Sequence, residues 1–295
     1  MTWGLLALLC GAFPLFFWGG PDWVSPPLIC AFWDLGHVAF FSVLLMFVQR
    51  FRAFDLPRQW LMISLICVVA GALIEFIQQF VGRDASAADV YRDLVGVWLG
   101  LFWGQRANRR IWIMRSLALL LTLPSAWQIM QAANAHWQAQ RNFPLLAGFE
   151  DRAELLRLGG QGQFSADRHT QGQQSFKVTL DTVQYSGTGI NKLLGDWRGY
   201  ETLVMDIYIP DTEYLALVLR VSDFTHDRGD NDYYDRFNRQ LVLVPGWNQV
   251  RIAVKDIEQA PRARAMNLAE ISHLGLFAVA LPSPRIFYWD NVRLE

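Results

Sequence analysis

The chain has 295 residues, and its 26 Lys and Arg nearly balance 27 Asp and Glu, for a formal net charge of −1. A near-neutral chain without a concentrated basic face excludes the electrostatic footprint of a nucleic-acid binder. The length admits two domains, and composition separates them: no lysine precedes residue 131, where apolar runs dominate, and a polar, alternating sequence starts near residue 145.

A bilayer core requires about 20 mostly apolar residues per helix. Segments 3–18, 28–49, 60–81, 88–104 and 111–131 meet or approach that length. They predict an all-α polytopic membrane bundle of about five helices over residues 1–131. The first segment lacks the basic start and small-residue cleavage site of a secretory signal, so it is expected to be retained. The fourth is short and opens with charges. Arginines set the orientation, because basic links stay in the cytoplasm. Arg50, Arg52 and Arg58 follow the second segment, Arg106, Arg109, Arg110 and Arg115 follow the fourth, and the link at 19–27 carries only Asp22. The N-terminus is therefore expected inside, with residues 132–295 outside the cytoplasm.

Ionisable groups within spans are costly and usually face a bundle interior. Here their positions agree in depth. Asp34 and His37 lie at i,i+3 near the outer end of the second span. Glu75, Gln78 and Gln79 lie toward the outer end of the third, Arg83 and Asp84 in the link beyond it, and Asp89, Arg92 and Asp93 open the fourth. Gly96, Gly100 and Gly104 form a small-xxx-small seam below them, and Gly71 lies one turn below Glu75, so close packing of the second, third and fourth spans is expected. Three roles fit such a cluster. One is a polar network that fixes helix packing. A second is a site for a lipid headgroup or a lipid-linked phosphate or sugar, with Arg83 and Arg92 holding phosphate oxygens. In that site His37, oriented by Asp34 or Glu75, would act as acid or base. A third is a divalent cation held by Asp34, Glu75, Asp89 and His37.

The ordered run Asp34-x-x-His37, Glu75-x-x-Gln78 and Arg83…Ser86-x-x-Asp89-x-x-x-Asp93-x-x-Gly96-x-x-x-Gly100 resembles the VanZ-like membrane family over about residues 28–104. The sequence departs from the family pattern in carrying Asp93 where asparagine is usual, which adds an acid to the cluster. The resemblance implies a membrane domain in a bacterial inner membrane and a site, but no reaction.

Residues 132–147 read as a polar connector that ends with Pro144 and Gly148 nearby. Beyond it, 202–209, 214–221, 239–244, 247–254 and 285–293 alternate as strands, separated by breaks such as Pro210-Asp211 and Pro245-Gly246. Brief helices are expected near 254–259 and 267–272. Many short strands predict an antiparallel sandwich over 148–295. All three cysteines (Cys10, Cys30, Cys67) fall in the apolar part, so no disulfide staples the sandwich, and roughly 150 residues suffice for an apolar core.

The segment 223–237 packs acids, arginines and aromatics around Gly229. Aromatic faces stack on sugars while Asp and Arg bond hydroxyls, so Asp223, Tyr234 and Arg236 are candidate glycan or partner ligands, Tyr234 and Arg236 sharing a face if the segment is a strand. A solvated hairpin loop is the alternative. His136, His169 and His273 show no partner spacing.

Phe149-Glu150-Asp151, Trp197-Arg198-Gly199-Tyr200, Pro245-Gly246-Trp247-Asn248 and Phe287-Tyr288-Trp289-Asp290-Asn291-Val292 resemble the galactose-binding-like jelly-roll superfamily of carbohydrate-binding modules. That resemblance implies glycan binding and a structural calcium between Glu150 and Asp290, whose other role would be to cap strand ends. No nucleophile elbow, phosphate-cradling glycine loop or zinc spacing occurs. The functions expected are a cell-envelope glycan-binding accessory protein whose membrane half engages lipid or a lipid-linked saccharide, a membrane enzyme on a lipid-linked phosphate or sugar, or a structural or sensory anchor.

Overall fold

A computed structural model of the chain describes residues 2–17, 20–21, 25–81 and 86–295. Leu28–Met130 and Gln131–Glu295 belong to separate compact units.

In the helical unit α1 (Thr2–Ala12) runs into a 3-10 turn, Phe13–Phe16. It is followed by α2 (Pro27–Val48), α3 (Pro57–Gln78), α4 (Ala87–Trp103), α5 (Arg109–Leu121) and α6 (Leu123–Asn142). Pro27 and Pro57 each open a helix, where the missing N–H has no partner to lose. Among the described residues three helical stretches, not five, are long and apolar enough to cross a membrane: Pro27–Val48, Pro57–Gln78 and Arg109–Asn142. The expected first span is divided between the 11 residues of α1 and the turn after it. The expected fourth, α4, has 17 residues, its first turns given to Asp89, Arg92 and Asp93. The expected connector at 132–147 is mostly helix, because α6 continues to Asn142.

The glycine seam brings α4 against α2. A methyl group on Gly96 would lie 2.5 Å from the Val38 carbonyl oxygen, and one on Gly100 would collide with that of Ser42. At that spacing side chains bond backbone across the helices: Ser42 Oγ donates to Gly96 O at 3.0 Å and Gln49 Nε2 to Gly100 O at 2.8 Å. Trp98 Nε1 donates to Ser64 Oγ at 2.9 Å, joining α4 to α3. Leu61, Leu65, Val69, Leu73 and Phe76 leave an exposed apolar stripe down α3, a face that water would not favour.

The second unit is a β-sandwich. Its strands are β1 (Leu145–Ala147), β2 (Leu158–Gly160), β3 (Gly162–Ser165), β4 (Ser175–Leu180), β5 (Tyr185–Asn191) and β6 (Thr202–Ile209). There follow β7 (Leu215–Asp223), β8 (Phe237–Leu243), β9 (Gly246–Ala253), β10 (Ile271–Val279) and β11 (Arg285–Leu294), with short helices α7 (Phe224–Arg228) and α8 (Val254–Glu258) between them. One sheet runs β3-β4-β11-β6-β9 with β1 paired to β11, and the other β2-β5-β10-β7-β8. Alternation builds the core: Leu215, Leu217, Leu219 and Val221 of β7 are buried, while Ala216, Val218 and Arg220 lie on the outer face. Trp197, Trp289, Phe176 and Phe287 fill the interior, each such side chain contributing about 1.5–3 kcal/mol relative to exposure. The helix expected over 267–272 is a 3-10 turn, Leu268–Glu270, and Ile271 already belongs to β10.

Candidate functional site

The outer face of the second sheet carries a groove of 670 Å³. Strand register explains its shape. Gly159 of β2 lies opposite Gly189 of β5, Gly189 opposite Gly275 of β10, and Gly275 opposite Arg220 of β7. Three glycines in one transverse row leave a floor of bare backbone that ends at a guanidinium. One row along the strands, Asn191 pairs with His273, and the imidazole leans over the glycines. A methyl group on Gly189 would stand 2.7 Å from His273 Cε1, and one on Gly275 2.6 Å from Nε2. His273 Nδ1 lies 2.7 Å from Asn191 Oδ1. An amide oxygen only accepts, so Nδ1 carries the proton.

In the opposite direction Gly187 pairs with Phe277 and Tyr185 with Val279. The Tyr185 and Phe277 rings meet edge-on with centroids 6.0 Å apart. Tyr233, in a 3-10 turn (Tyr233–Asp235), and Arg236, at the end of that turn, complete the wall, the guanidinium 5.4 Å from the Tyr233 ring centroid. Arg220, Arg236 and His273 all line the groove, and its lining residues include no carboxylate. Burial, then Arg220, Arg236 and His226, push the His273 pKa down to about 3. Burial likewise holds the Arg236 pKa below its ordinary value.

Under this face a polar network anchors the segment after β7. Asp223 is fully buried and meets Arg264 in a fork, Oδ2 to Nη1 at 2.5 Å and Oδ1 to Nη2 at 2.7 Å. It also accepts the His226 and Asn267 backbone N–H groups. Burial raises its pKa, but the Arg264 fork and the two amides outweigh that and leave it below the usual carboxylate range. Asp223 is therefore a structural anchor with no oxygen free for a glycan, which corrects its sequence-based role. Tyr234 does not line the groove: the Arg262 guanidinium covers one face of its ring at 3.4 Å from the centroid. The segment is helix and turn, not strand, so Tyr234 and Arg236 share no face. Arg236 is at the groove as expected, with Tyr233 as its aromatic neighbour. The sequence reading missed Tyr185, Asn191, Arg220 and Phe277, and it set His273 aside. The detectable signal was glycine inside strand-like runs, at 187, 189 and 275, which marks a place where something approaches the backbone closely.

Glu150 and Asp290 both hold the loop between β3 and β4. Asp290 accepts from Thr170 N (2.6 Å), Thr170 Oγ1 (3.1 Å) and Gln171 N (3.0 Å), and Glu150 from Gln173 N (2.8 Å) and Gln174 N (2.9 Å). Groups that point hydrogens at these oxygens would repel a cation, so the residues do not fit the calcium implied by resemblance. They clasp a loop.

In the helical unit Asp34, His37, Asp89, Arg92 and Asp93 form one connected set. Arg92 pairs with Asp34 at 2.8 Å and with Asp89, and donates to Gln128 Oε1 at 3.0 Å. His37 Nδ1 lies 2.8 Å from Asp93 Oδ1, and Nε2 3.9 Å from Asp89 Oδ2. Glu75 Oε2 accepts from Ser86 N at 2.6 Å, and Gln78 Nε2 donates to Phe16 O at 2.7 Å. Glu75 Oε1 and Asp93 Oδ2 are buried without a hydrogen-bond partner among the described residues. Arg83 and Asp84 lie outside the described residues. An apolar groove of 170 Å³, lined by Leu15, Phe16, Phe32, Trp33 and Phe40 among others, ends at His37. Among the described residues no three His, Cys, Asp or Glu side chains are grouped to hold a metal. Asp34, Glu75, Asp89 and His37 thus do not make the cation cage considered from sequence, and Arg92 supplies the positive charge instead.

No protein-family model matches the chain, and no curated protein matches it. The VanZ-like family expected for residues 28–104 thus finds no support in these comparisons. Solved structures similar to the C-terminal part include a family 11 carbohydrate-binding module from Clostridium thermocellum in complex with a β-1,3-1,4-mixed-linked tetrasaccharide. That module is 15% identical, with 51% of this chain and 93% of the module covered at a TM-score of 0.40. An exo-β-agarase is 14% identical over 51% of this chain and 24% of its own, with a TM-score of 0.41. CBM28, a non-crystalline cellulose specific carbohydrate-binding module, is 15% identical over 52% of this chain and 93% of its own, with a TM-score of 0.35.

Proposed function

We propose that the chain is a membrane-anchored glycan-binding protein whose β-sandwich takes a saccharide chain in the groove on its second sheet. The observation that carries this reading is the glycine-floored trench lined by the rings of Tyr185, Phe277 and Tyr233 and by the polar side chains of Arg220, Arg236, Asn191 and His273. A floor without side chains lets pyranose rings lie flat, aromatic faces cover their C–H surfaces, and the polar wall bonds hydroxyls. Glycoside hydrolysis uses a pair of carboxylates flanking the bond, and the lining residues hold none. The groove binds without cleaving. The arginine-bearing links support an N-terminus in the cytoplasm and the sandwich outside, a setting for the assembly or modification of envelope polysaccharide in a bacterial inner membrane. The exposed apolar stripe of α3 supports lipid engagement by the helical unit.

The test uses the full chain in detergent on a glycan array, with Tyr185→Ala and Tyr233→Ala as variants. Loss of one stacking ring is expected to weaken binding about 2- to 10-fold. Absence of any glycan bound by the wild-type chain sinks the proposal.

A second reading, an enzyme on a lipid-linked phosphate or sugar, is favoured by His37 lying between Asp93 and Asp89 at the end of an apolar groove. His37→Ala separates it from a packing role. An enzyme keeps its folded yield and loses turnover, whereas a packing network or a ligand-free anchor loses folded yield alone.

A further inference from the structure

We propose that the groove selects an acidic glycan, one whose sugars carry carboxylate or sulfate groups, and that Arg220 and Arg236 together receive that charge. The proposal rests on the reading of the groove as a glycan site and deepens it by naming the ligand's chemistry.

Arg220 and Arg236 sit side by side. Arg220 of β7 pairs with Asn238 of β8, and Arg236 precedes Asn238 by two residues. Both line the groove, and they are near enough for each guanidinium's charge to act on the other. The charge around them is not balanced. Among the described residues the only carboxylate paired with Arg220 is Asp227, at 3.6 Å. Its oxygens already accept the hydroxyls of Ser222 (2.9 Å) and Ser272. Arg236 has no ion pair or hydrogen bond from its guanidinium among the described residues, only the ring of Tyr233. Nε of each arginine is buried without an acceptor. One shared carboxylate thus faces two half-buried cations. Among the described residues Arg220 Nη2 otherwise reaches only neutral groups at long range, His226 Nε2 at 3.4 Å and Asn231 Oδ1 at 3.5 Å. Half-buried cations so weakly partnered are costly, and an anion that enters the groove supplies what the protein withholds.

The balance of donors and acceptors agrees. Neutral sugar hydroxyls both donate and accept, and a site for them needs acceptors as well as donors. Here the Asn191 oxygen is occupied by His273, and no carboxylate lines the cavity. Asp235 is held by Arg264 at 2.7 and 2.8 Å, and Asp232 caps the Tyr234 amide at 3.0 Å. What remains toward the ligand is two guanidiniums and amide N–H as donors, against one imidazole nitrogen, His273 Nε2, and tyrosine hydroxyls that can accept. The two cations tilt that balance toward a ligand with anionic acceptors. Carboxylate and sulfate satisfy the same fork, and the experiment tells them apart.

The full chain in detergent at 150 mM salt is titrated calorimetrically with oligogalacturonate, its fully methyl-esterified form, sulfated dextran and neutral dextran. At least one anionic probe is expected to bind about tenfold or more tightly than its neutral counterpart. The preference should fall to near unity in Arg236→Gln and in Arg220→Gln, while Tyr185→Ala weakens charged and neutral probes alike. Preference for oligogalacturonate assigns carboxylate as the source, and preference for sulfated dextran assigns sulfate. Equal binding of charged and neutral probes overturns the acidic assignment and leaves the groove as a neutral-glycan site. An anionic preference that persists in both arginine variants also overturns it, because the charge is then read elsewhere. If no probe binds and Tyr185→Ala changes nothing, both this proposal and the glycan reading fall. Near-UV circular dichroism of each variant shows whether the sandwich has kept its packing.

Discussion

His273 shows how neighbours set the state of one residue. Its imidazole is enclosed by the strand glycines, bonded to Asn191, and surrounded by Arg220, Arg236 and His226. Burial leads and the cations add to it, so the ring stays neutral in the folded chain down to about pH 3. The unfolded imidazole takes up its proton near pH 6.5. The folded pKa is the lower of the two, so this contribution to stability is complete above pH 6.5 and is lost as pH falls below it, at up to about 1.4 kcal/mol per unit. His273→Gln removes that slope. The stability advantage of wild type over the variant should therefore shrink by about 2 kcal/mol between pH 7.5 and 5, read from hydrogen exchange of the β10 amides in the full chain. An advantage equal at both pH values would mean that the ring charges in place. Neither this residue nor Arg220 was legible as a site in the sequence, because register supplies each with a groove neighbour far along the chain: His273 beside Asn191, 82 residues away, and Arg220 beside Gly275, 55 residues away. Arg236 was legible only because it stands in a locally unusual run of charges and aromatics, and Asp223, in the same run, has the opposite fate of full burial.

Periodicity made some elements readable and glycine hid others. β6, β7, β8, β9 and β11 are apolar runs rich in β-branched and aromatic residues, some alternating with polar ones, and each falls within a few residues of the run expected for it. β5 (YSGTGIN) and β10 (ISHLGLFAV) were not expected as strands. The glycines that shape the groove remove the outward side chains whose polarity would have completed the alternation. The binding face was thus concealed by the feature that forms it. The helical unit shows glycine in a second use. Gly100 lets α4 approach α2 so closely that a methyl group would overlap the Ser42 carbonyl and lie 2.9 Å from Leu45 Cβ. Backbone cannot turn aside as a flexible side chain does, so Gly100→Val should cost about 1–3 kcal/mol and lower the monodisperse yield in detergent. Gly36 has nothing within 4 Å of its added methyl position, and Gly36→Ala should stabilise α2 by up to about 1 kcal/mol. Thermal unfolding of both variants in one detergent checks the pair, and a loss as large for Gly36→Ala as for Gly100→Val would refute the close-approach account.

At the scale of the whole chain the short helices decide the topology. If only the three long stretches crossed, α4 would stay on one side, and the links bearing Arg50, Arg52 and Arg106, Arg109 would face opposite compartments. On the proposed orientation, basic links stay in the cytoplasm together, and α4 would then cross as well. Its 17 residues span about 26 Å at 1.5 Å each, a little short of a bilayer core of about 30 Å. The deficit is met where charged residues at a helix end draw the polar boundary inward, and α4 begins with Asp89, Arg92 and Asp93. On the same proposal, an inside N-terminus and an inside first basic link would require α1 to cross too. With either three or five crossings the sandwich lies opposite the N-terminus, so tail location alone does not distinguish them. Single cysteines do. In a chain whose Cys10, Cys30 and Cys67 are replaced by serine, Ala53→Cys and Ala107→Cys should both resist a membrane-impermeant maleimide in intact cells and react after lysis. Gln161→Cys, exposed between β2 and β3, should react without lysis. Labelling of position 107 but not position 53 in intact cells would leave α4 on one face and separate the two arginine links. Protection of position 161 would put the groove in the cytoplasm, away from any envelope glycan.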